Sequence, residues 1–257
     1  LIKRVQHVLG DIIAIEDNQA ILLTYFRNNI LHAFVLPSLV AALVEHNGKI
    51  SKSDLLNVIR TLYPFLKAEL FLKWKDSEIK AQVTEYVDAL AQANLIFVDD
   101  EDFIFSPAPN SEDHNQLAVL AAPVRQSLER YYMTLALITQ RGSGNISIRQ
   151  VEELSHLVGQ RLSVLYEFNS PEFFDKALFQ SFMKVLTEQG YIKTNEDHAI
   201  VFDEQFRNVA QYANLVLDDV TLQMLHHITS FTDEELKEAL DALAAQQAKK
   251  RLKRKKK

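Results

Sequence analysis

The chain has 257 residues, of which 47% are hydrophobic, and its formal net charge is −6. It contains no cysteine, which excludes a disulfide framework, thiolate catalysis and cysteine-ligated zinc. Six glycines and six prolines argue against a β-sandwich and a glycine-rich phosphate loop, so helix should dominate. The length exceeds the usual size of a single core and predicts two domains or one elongated helical body.

The basic residues are unevenly distributed along the chain. Positions 249–257 hold eight of the 28 basic residues and no acid. Residues 1–248 therefore carry 20 basic side chains against 34 acidic ones. Because neutralising phosphate requires a basic face, this distribution predicts no specific nucleic-acid partner. The first residue is Leu1 rather than Met and no secretory signal pattern is visible, so a piece of a longer polypeptide is expected.

Residues 21–44 form the longest nearly uncharged stretch of the chain. Residues 16–18 mark a helix start and residues 46–48 a helix end. The first half of this helix is amphipathic, whereas the second half has one polar side chain, Ser38, and a proline, Pro37, that should kink or restart the helix. The second half is too short to span a bilayer, which takes roughly 20 apolar residues, so the pattern favours a buried core helix over membrane insertion.

From residue 50 onward the sequence repeats itself at a shift of 96 residues. Ile50 and Ser51 correspond to Ile146 and Ser147, and both pairs are predicted to open a short helix with a capping-type start. Ile104 corresponds to Ile200. Each copy also places acidic or Asn turn residues between two short apolar runs, as a β-hairpin does. Each copy therefore predicts two helices, a longer third helix and a β-hairpin, in that order.

The helix before each hairpin has a marked start and an apolar period of 3.6 residues. In the second copy, residues 170–172 (SPE) predict the start and Gly190 the end. In the first copy, Asp76 or Ser77 is expected to cap the helix. The apolar stripes are Ile79, Val83, Val87 and Leu90 in the first copy and Phe174, Leu178, Phe182, Val185 and Leu186 in the second.

Helices followed by a hairpin are the winged-helix arrangement, whose commonest use is to read DNA. A scaffold module without nucleic acid is the alternative interpretation. The third helix of the first copy and both hairpin turns are acidic, which would repel phosphate and favours the scaffold. The predicted fold class is mainly α, helical with two winged-helix-like units, each ending in a small β-hairpin.

The predicted domains follow from this repeat and from a polar, proline-containing linker at residues 106–115. Residues 1–110 hold the opening helix and the first winged-helix-like unit, and residues 111–204 hold the second unit, led by a helix at about 117–139. Residues 142–145 (GSGN) form a turn and not a phosphate loop, because no Gly-Lys-Ser/Thr follows. Residues 205–248 form C-terminal helices, with a helical run at 206–228 and a capping box at Thr232 and Glu235. Residues 249–257 are a basic tail.

One pattern with catalytic chemistry occurs, His198-x-x-x-x-Asp203. In acyltransferases an Asp-oriented His of this spacing deprotonates a hydroxyl for attack on a thioester. Here the pattern falls on a predicted hairpin strand, where a separation of five puts the two side chains on opposite faces. The pair is therefore not predicted to be catalytic.

The other polar candidates are weaker. The histidines predict no metal site, because His226 and His227 are adjacent and point apart on a helix, and no i, i+4 pair has a partnering carboxylate. No catalytic or cofactor-binding residue is assigned, and no cofactor is predicted. The polar group of Arg27, Asn28, Asn29 and His32 is interpreted as a structural hydrogen-bond network, with a ligand site as the alternative.

The basic tail could bind anionic lipid at about 1 kcal/mol per basic residue near the surface, bind nucleic acid nonspecifically, or simply be solvated. The candidate lipid contacts are Lys249, Lys250, Arg251, Lys253, Arg254, Lys255, Lys256 and Lys257.

Five strings of this sequence are distinctive: residues 25–32 (YFRNNILH), 35–39 (VLPSL), 63–71 (YPFLKAELF), 160–165 (QRLSVL) and 170–176 (SPEFFDK). Together they resemble the C-terminal third of the bacterial membrane-bound glycerol-3-phosphate acyltransferase. The resemblance runs from about Gly10 to Leu186 and weakens beyond about Phe206. It does not extend to the basic tail.

The resemblance implies a parent enzyme that moves a fatty acyl group from acyl-CoA or acyl carrier protein to the 1-hydroxyl of glycerol 3-phosphate, at the cytoplasmic face of the inner membrane. Family members keep their catalytic His-x-x-x-x-Asp well upstream of these strings, so no catalytic residue is carried onto this chain. The implied role is a non-catalytic C-terminal part that supports an upstream acyltransferase domain, with the membrane surface as a second partner. The alternative is a tandem winged-helix adaptor or nucleic-acid-binding protein.

Overall fold

The computed structural model describes residues 2–8, 10–165, 175–232 and 234–235. The helices are α1 (Asp17–Asn47), α2 (Lys52–Leu70), α3 (Ile79–Gln92), α4 (Glu112–Arg141), α5 (Ile148–Leu165), α6 (Lys176–Glu188), α7 (Glu204–Tyr212) and α8 (Asp219–Thr229). The strands are β1 (Ile2–Val5), β2 (Ile12–Ile15), β3 (Lys49–Ser51), β4 (Phe97–Val98), β5 (Phe103–Phe105), β6 (Ile192–Thr194) and β7 (Ile200–Phe202). The mainly helical class predicted from composition is confirmed.

The second half of α1 lies at the centre of the hydrophobic core. Val35, Leu39, Val40, Leu43 and Val44 are fully buried there, which confirms the prediction of a core helix. Helix α1 packs along α4, and this is the most extensive contact between helices in the described part of the chain. The helix continues through the proline at position 37 and does not restart there.

In the first unit, α2 and α3 pack beside a three-stranded antiparallel sheet of order β3-β5-β4. The Ser51 hydroxyl accepts a hydrogen bond from the Asp54 amide (3.0 Å) and caps α2, as predicted. The predicted apolar stripe of α3 is buried throughout. The predicted cap of this helix is wrong, because Asp76 and Ser77 lie in a short 3-10 turn and the Glu78 carboxylate instead accepts from the Lys75 amide (2.7 Å).

The second unit reproduces the strand pairing of the first. Ser51 pairs with Phe103 in the first sheet, and 96 residues later Ser147 pairs with Ala199. The hairpin β6-β7 follows α6 as β4-β5 follows α3. One detail of the prediction is wrong: the third helices α3 and α6 have 14 and 13 residues and are shorter than α2 and α5, which have 19 and 18.

One predicted helix start shifts in this unit, and another lies outside the described residues. Helix α4 begins at Glu112, earlier than the predicted start near Leu117, because the Ser111 hydroxyl accepts from the His114 amide (3.1 Å). The start predicted at residues 170–172, for the helix before the second hairpin, lies outside the described residues. Helix α6 itself begins at Lys176, where the Asp175 carboxylate accepts from the amides of the first turn.

The N-terminal hairpin was not predicted. Strands β1 and β2 pair antiparallel with Ile2 opposite Ile15, and the ion pairs Lys3–Glu16 and Arg4–Asp11 hold them together. Only the apolar run of β2 was visible in the sequence, because β1 reads Ile-Lys-Arg-Val and lacks strict alternation.

The C-terminal helical run predicted at 206–228 is broken in two. A 3-10 turn, Ala213–Leu215, follows α7, and Val216 and Leu217 are buried in the core. The Asp218 carboxylate then caps α8 by accepting from the Thr221 amide (2.8 Å). The capping box at Thr232 and Glu235 is present. The helix predicted to follow it lies outside the described residues.

Candidate functional site

A cavity of about 530 Å³ opens where α1, α2, α4 and α6 meet. Its lining combines polar side chains from three helices with apolar side chains. Among the lining residues are Asn29 and His32 of α1, Glu69 and Phe71 at the end of α2, and Ser127 and Arg130 of α4.

A buried ion pair forms the floor of this cavity. The Arg130 guanidinium lies 2.5 Å from the Glu69 carboxylate, and the two side chains are only 7% and 8% exposed. The Ser127 hydroxyl donates to the same carboxylate oxygen (2.8 Å), and the Tyr131 hydroxyl donates to the other (2.6 Å). Both carboxylate oxygens are thus occupied, which is the condition under which a buried charge is tolerated. The cluster ties the end of α2 to the middle of α4.

The electrostatics of this cluster favour a structural role over a catalytic one. Burial, together with the negative charge of Glu69, raises the pKa of the Tyr131 hydroxyl well above its usual value. The hydroxyl therefore stays protonated and remains a hydrogen-bond donor. Because the Arg130 charge is already paired with Glu69, the cavity floor offers little net charge to an anionic ligand.

A second cavity of about 270 Å³ adjoins the first, sharing His32 and Phe71 with it. Trp74 lines it, and the Trp74 carbonyl accepts a hydrogen bond from the Tyr63 hydroxyl (2.9 Å). Burial raises the pKa of Tyr63 to about 12, so this donor is also permanent near neutral pH. Phe71 lines both cavities, is 90% exposed and lies in the left-handed region (φ 53°).

A cluster of charged side chains lies on the opposite face of α4. A cavity of about 340 Å³ is lined there by Glu45, Arg125 and Asp218, among others. Burial raises the pKa of nearby Glu129 to about 7, with Arg125 opposing the shift. Burial would also raise the pKa of Asp218, but hydrogen bonds from the Thr221 amide and hydroxyl outweigh it and lower that pKa. Glu129 is therefore a carboxylate that titrates near neutral pH.

The first half of α1 carries an exposed apolar face. Among the side chains described there, Leu22, Tyr25, Phe26, Ile30 and Phe34 are between 42% and 62% exposed. Their spacing of three and four residues places them along one side of the helix. Residues 29–47 are long and apolar enough to cross a membrane, but 56% of that stretch is buried inside the protein, as in the core helix of a soluble protein.

The structure places His198 and Asp203 at exposed positions on either side of β7. His198 lies in the hairpin turn with φ 59°, just before β7 rather than on the predicted strand. Asp203 follows β7 and accepts a hydrogen bond from the Gln205 amide (2.9 Å) at the start of α7. Both side chains are exposed, so this pattern lacks the buried, oriented base that acyl transfer needs.

The remaining predicted site residues are only partly described. Asn29 and His32 line the first cavity, whereas the side chains of Arg27 and Asn28 and the whole tail at 249–257 lie outside what the structure describes. In the described part of the chain, no three His, Asp or Glu side chains gather as metal ligands would. The Glu69 cluster was missed, although a lone acid inside an apolar helix end was a visible signal.

Comparison with known proteins gives one consistent match. A family described as the glycerol-3-phosphate acyltransferase C-terminal region matches residues 1–195. A glycerol-3-phosphate acyltransferase of Pseudomonas paraeruginosa is 37% identical over 213 residues, which is 83% of this chain and 25% of that protein. Enzymes of the same name from Pseudomonas fluorescens and Ectopseudomonas mendocina are 35% and 37% identical, over 83% and 76% of this chain. The chain spans about a quarter of the length of the curated relatives it matches.

Proposed function

This chain belongs to the family of glycerol-3-phosphate acyltransferase C-terminal regions, and from that premise we propose that it is the non-catalytic C-terminal part of such an enzyme. The whole enzyme would transfer an acyl group from acyl-CoA or acyl carrier protein to the 1-hydroxyl of glycerol 3-phosphate. The single observation that carries this proposal is the extent of the match, which takes in most of this chain but only 25% of the relative. The chemistry would then be performed by an upstream domain of the same polypeptide.

The proposed role of this region is to be a rigid support built from two winged-helix-like units. The antiparallel order β3-β5-β4, with β3 between two helices, supports this description of the first unit. The recurrence of the Ser51–Phe103 pairing as Ser147–Ala199 supports it for the second. The proposed divisions are residues 1–110, 111–204, 205–248 and the tail at 249–257. The exposed acids of α3, including Glu85 and Asp88, favour a support over a reader of nucleic acid.

Acyl transfer tests the proposal directly. The intact polypeptide that carries this region behind its acyltransferase domain should esterify glycerol 3-phosphate with acyl-CoA, and the 257-residue chain should show no turnover. Replacing His198 with alanine in the intact polypeptide should leave its turnover unchanged, because that side chain is exposed on a hairpin turn. Turnover by the 257-residue chain that His198→Ala abolishes would overturn the proposal.

The second part of the proposal is that the enzyme works at the cytoplasmic face of the inner membrane and that the tail contributes lipid contact. Basic residues near an anionic surface gain about 1 kcal/mol each. Sedimentation of the chain with phosphatidylglycerol vesicles should therefore fall as salt rises. Deleting residues 249–257 should remove the salt-dependent part, while phosphatidylcholine vesicles serve as the uncharged control. Vesicle binding that ignores salt would assign the contact to an apolar surface instead.

A further inference from the structure

The N-terminal hairpin is apolar on both of its faces. On one face Ile13 and Ile15 are 72% and 42% exposed, and on the other face Val5 and Ile12 are 47% and 48% exposed. An isolated two-stranded hairpin is at best marginally stable in water and needs a hydrophobic surface to pack on. In the described part of the chain the hairpin makes its main contacts within itself. It therefore has apolar area available for another surface.

The exposed side of α1 continues this apolar area. Strand β2 ends at Ile15 and α1 begins at Asp17, so the hairpin leads directly into the helix. Phe71 lies near another side of α1, where it shares the lining of two cavities with His32. We name the hairpin and the exposed side of α1 the apolar face.

We propose that the apolar face is the docking surface for the acyltransferase domain of the same polypeptide. The inference rests on the proposed function and adds the location of the contact. The relatives are about four times longer than the matched part, so a large partner domain is covalently attached. Covalent attachment gives that domain a high effective concentration at the face, which a second copy or another protein lacks.

The charge of the apolar face favours a protein partner over a lipid surface. Helices and hairpins that lie on membranes are rich in Lys and Arg around their apolar side. Residues 2–34 are balanced, with Lys3, Arg4 and Arg27 against Asp11, Glu16 and Asp17. Lys3 and Arg4 are moreover paired with Glu16 and Asp11. A neutral apolar surface of this kind matches the core of an interface between domains.

Thiol labelling tests the docking surface, because this chain has no cysteine of its own. Ile13→Cys and Phe26→Cys place one thiol each on the apolar face. Val119→Cys and Val220→Cys are matched controls on α4 and α8, at positions 74% and 77% exposed. Ser38→Cys, at a fully buried position, reports whether the fold is intact. Maleimide labelling of each site is followed by peptide mass spectrometry in the 257-residue chain and in the detergent-solubilised intact polypeptide.

Labelling at positions 13 and 26 should slow at least tenfold in the intact polypeptide, while the two control sites label equally in both samples. Equal rates at 13 and 26 in an intact polypeptide that still transfers acyl groups would overturn the docking surface alone. An intact polypeptide without acyl transfer would overturn the proposed function. Two further results would also overturn the docking surface: protection of the 257-residue chain by phosphatidylglycerol vesicles would assign the face to the membrane, and protection that grows with chain concentration would assign it to a second copy.

Discussion

The two halves of α1 both carry large apolar side chains but differ in what covers those side chains. Residues 35–44 are buried with one partial exception, because α4 packs along them. The first half has comparable large apolar side chains, yet Phe26 and Ile30 are more than half exposed. The presence of large apolar side chains alone therefore does not distinguish a core helix from a docking helix. The distinction lies in which part of the polypeptide supplies the opposing surface.

The largest effect is expected at the ion pair that lies beside the boundary between the two halves. Glu69→Gln would leave the buried Arg130 charge without its counter-ion, and the free energy of unfolding should fall by about 3–5 kcal/mol. Urea denaturation followed by circular dichroism measures this. Adding Arg130→Met should restore at least half of the loss.

An exposed ion pair provides the control for this prediction. Lys184 and Glu188 lie 3.6 Å apart on the surface of α6 with most of each side chain in water. Glu188→Gln should leave the urea midpoint nearly unchanged. Equal effects at positions 69 and 188 would contradict the assignment of the Glu69 cluster as a buried tie between helices.

The next largest effect comes from making the same substitution in each half of α1. Leu39→Ala removes a fully buried side chain, and we expect a loss of about 2–5 kcal/mol in the free energy of unfolding. Leu22→Ala makes the same chemical change in the exposed half and should cost about 0.5 kcal/mol or less in the 257-residue chain. Both are read from urea midpoints. Equal losses would show that the first half is already covered within this chain.

A pH-dependent effect should appear along α4, the helix that covers the buried half. The pKa of Glu129 is raised to about 7 when folded, from 4.5 when unfolded, so the folded state holds this proton more tightly. The contribution of Glu129 to stability is therefore lost as pH rises from about 4.5 to about 7, by roughly 2–3 kcal/mol. Glu129→Gln should match the wild type at pH 4.5 and exceed it at pH 8. A difference that is constant across this range would contradict the assigned pKa.

The smallest effect is expected from a substitution in the exposed half of α1. Phe26→Ser should change the unfolding midpoint of the 257-residue chain very little, because the ring is half in water. In the intact polypeptide the same change should lower the thermal midpoint by several degrees, since the ring would be buried in the docking surface. Val119→Ser is the control and should have no effect in either sample. Equal shifts at 26 and 119 in the intact polypeptide would contradict the docking role.

Local signals in the sequence predicted much of this structure. Four correct predictions depend only on residues within a few positions of each other. They are the bounds of α1, the helix cap at Ser51, the apolar stripe of α3 and the capping box at Thr232. The tie between Glu69 and Arg130 joins residues 61 apart, and periodicity carries no information at that distance. The break between α7 and α8 was missed because the buried Val216 and Leu217 keep the apolar pattern running through the turn.

The repeat extends to the two longest helices of the described residues. Asp17 and Asn47, the ends of α1, fall on positions 113 and 143 when shifted by 96, and α4 spans Glu112–Arg141. Two equivalent helices thus pack against one another as in the interface of a homodimer, but within a single covalent chain. Their association is consequently unimolecular, so dilution leaves the assembly intact and its melting midpoint should not depend on protein concentration. A protein made of one such unit alone would have to dimerise, and its melting midpoint would then depend on protein concentration.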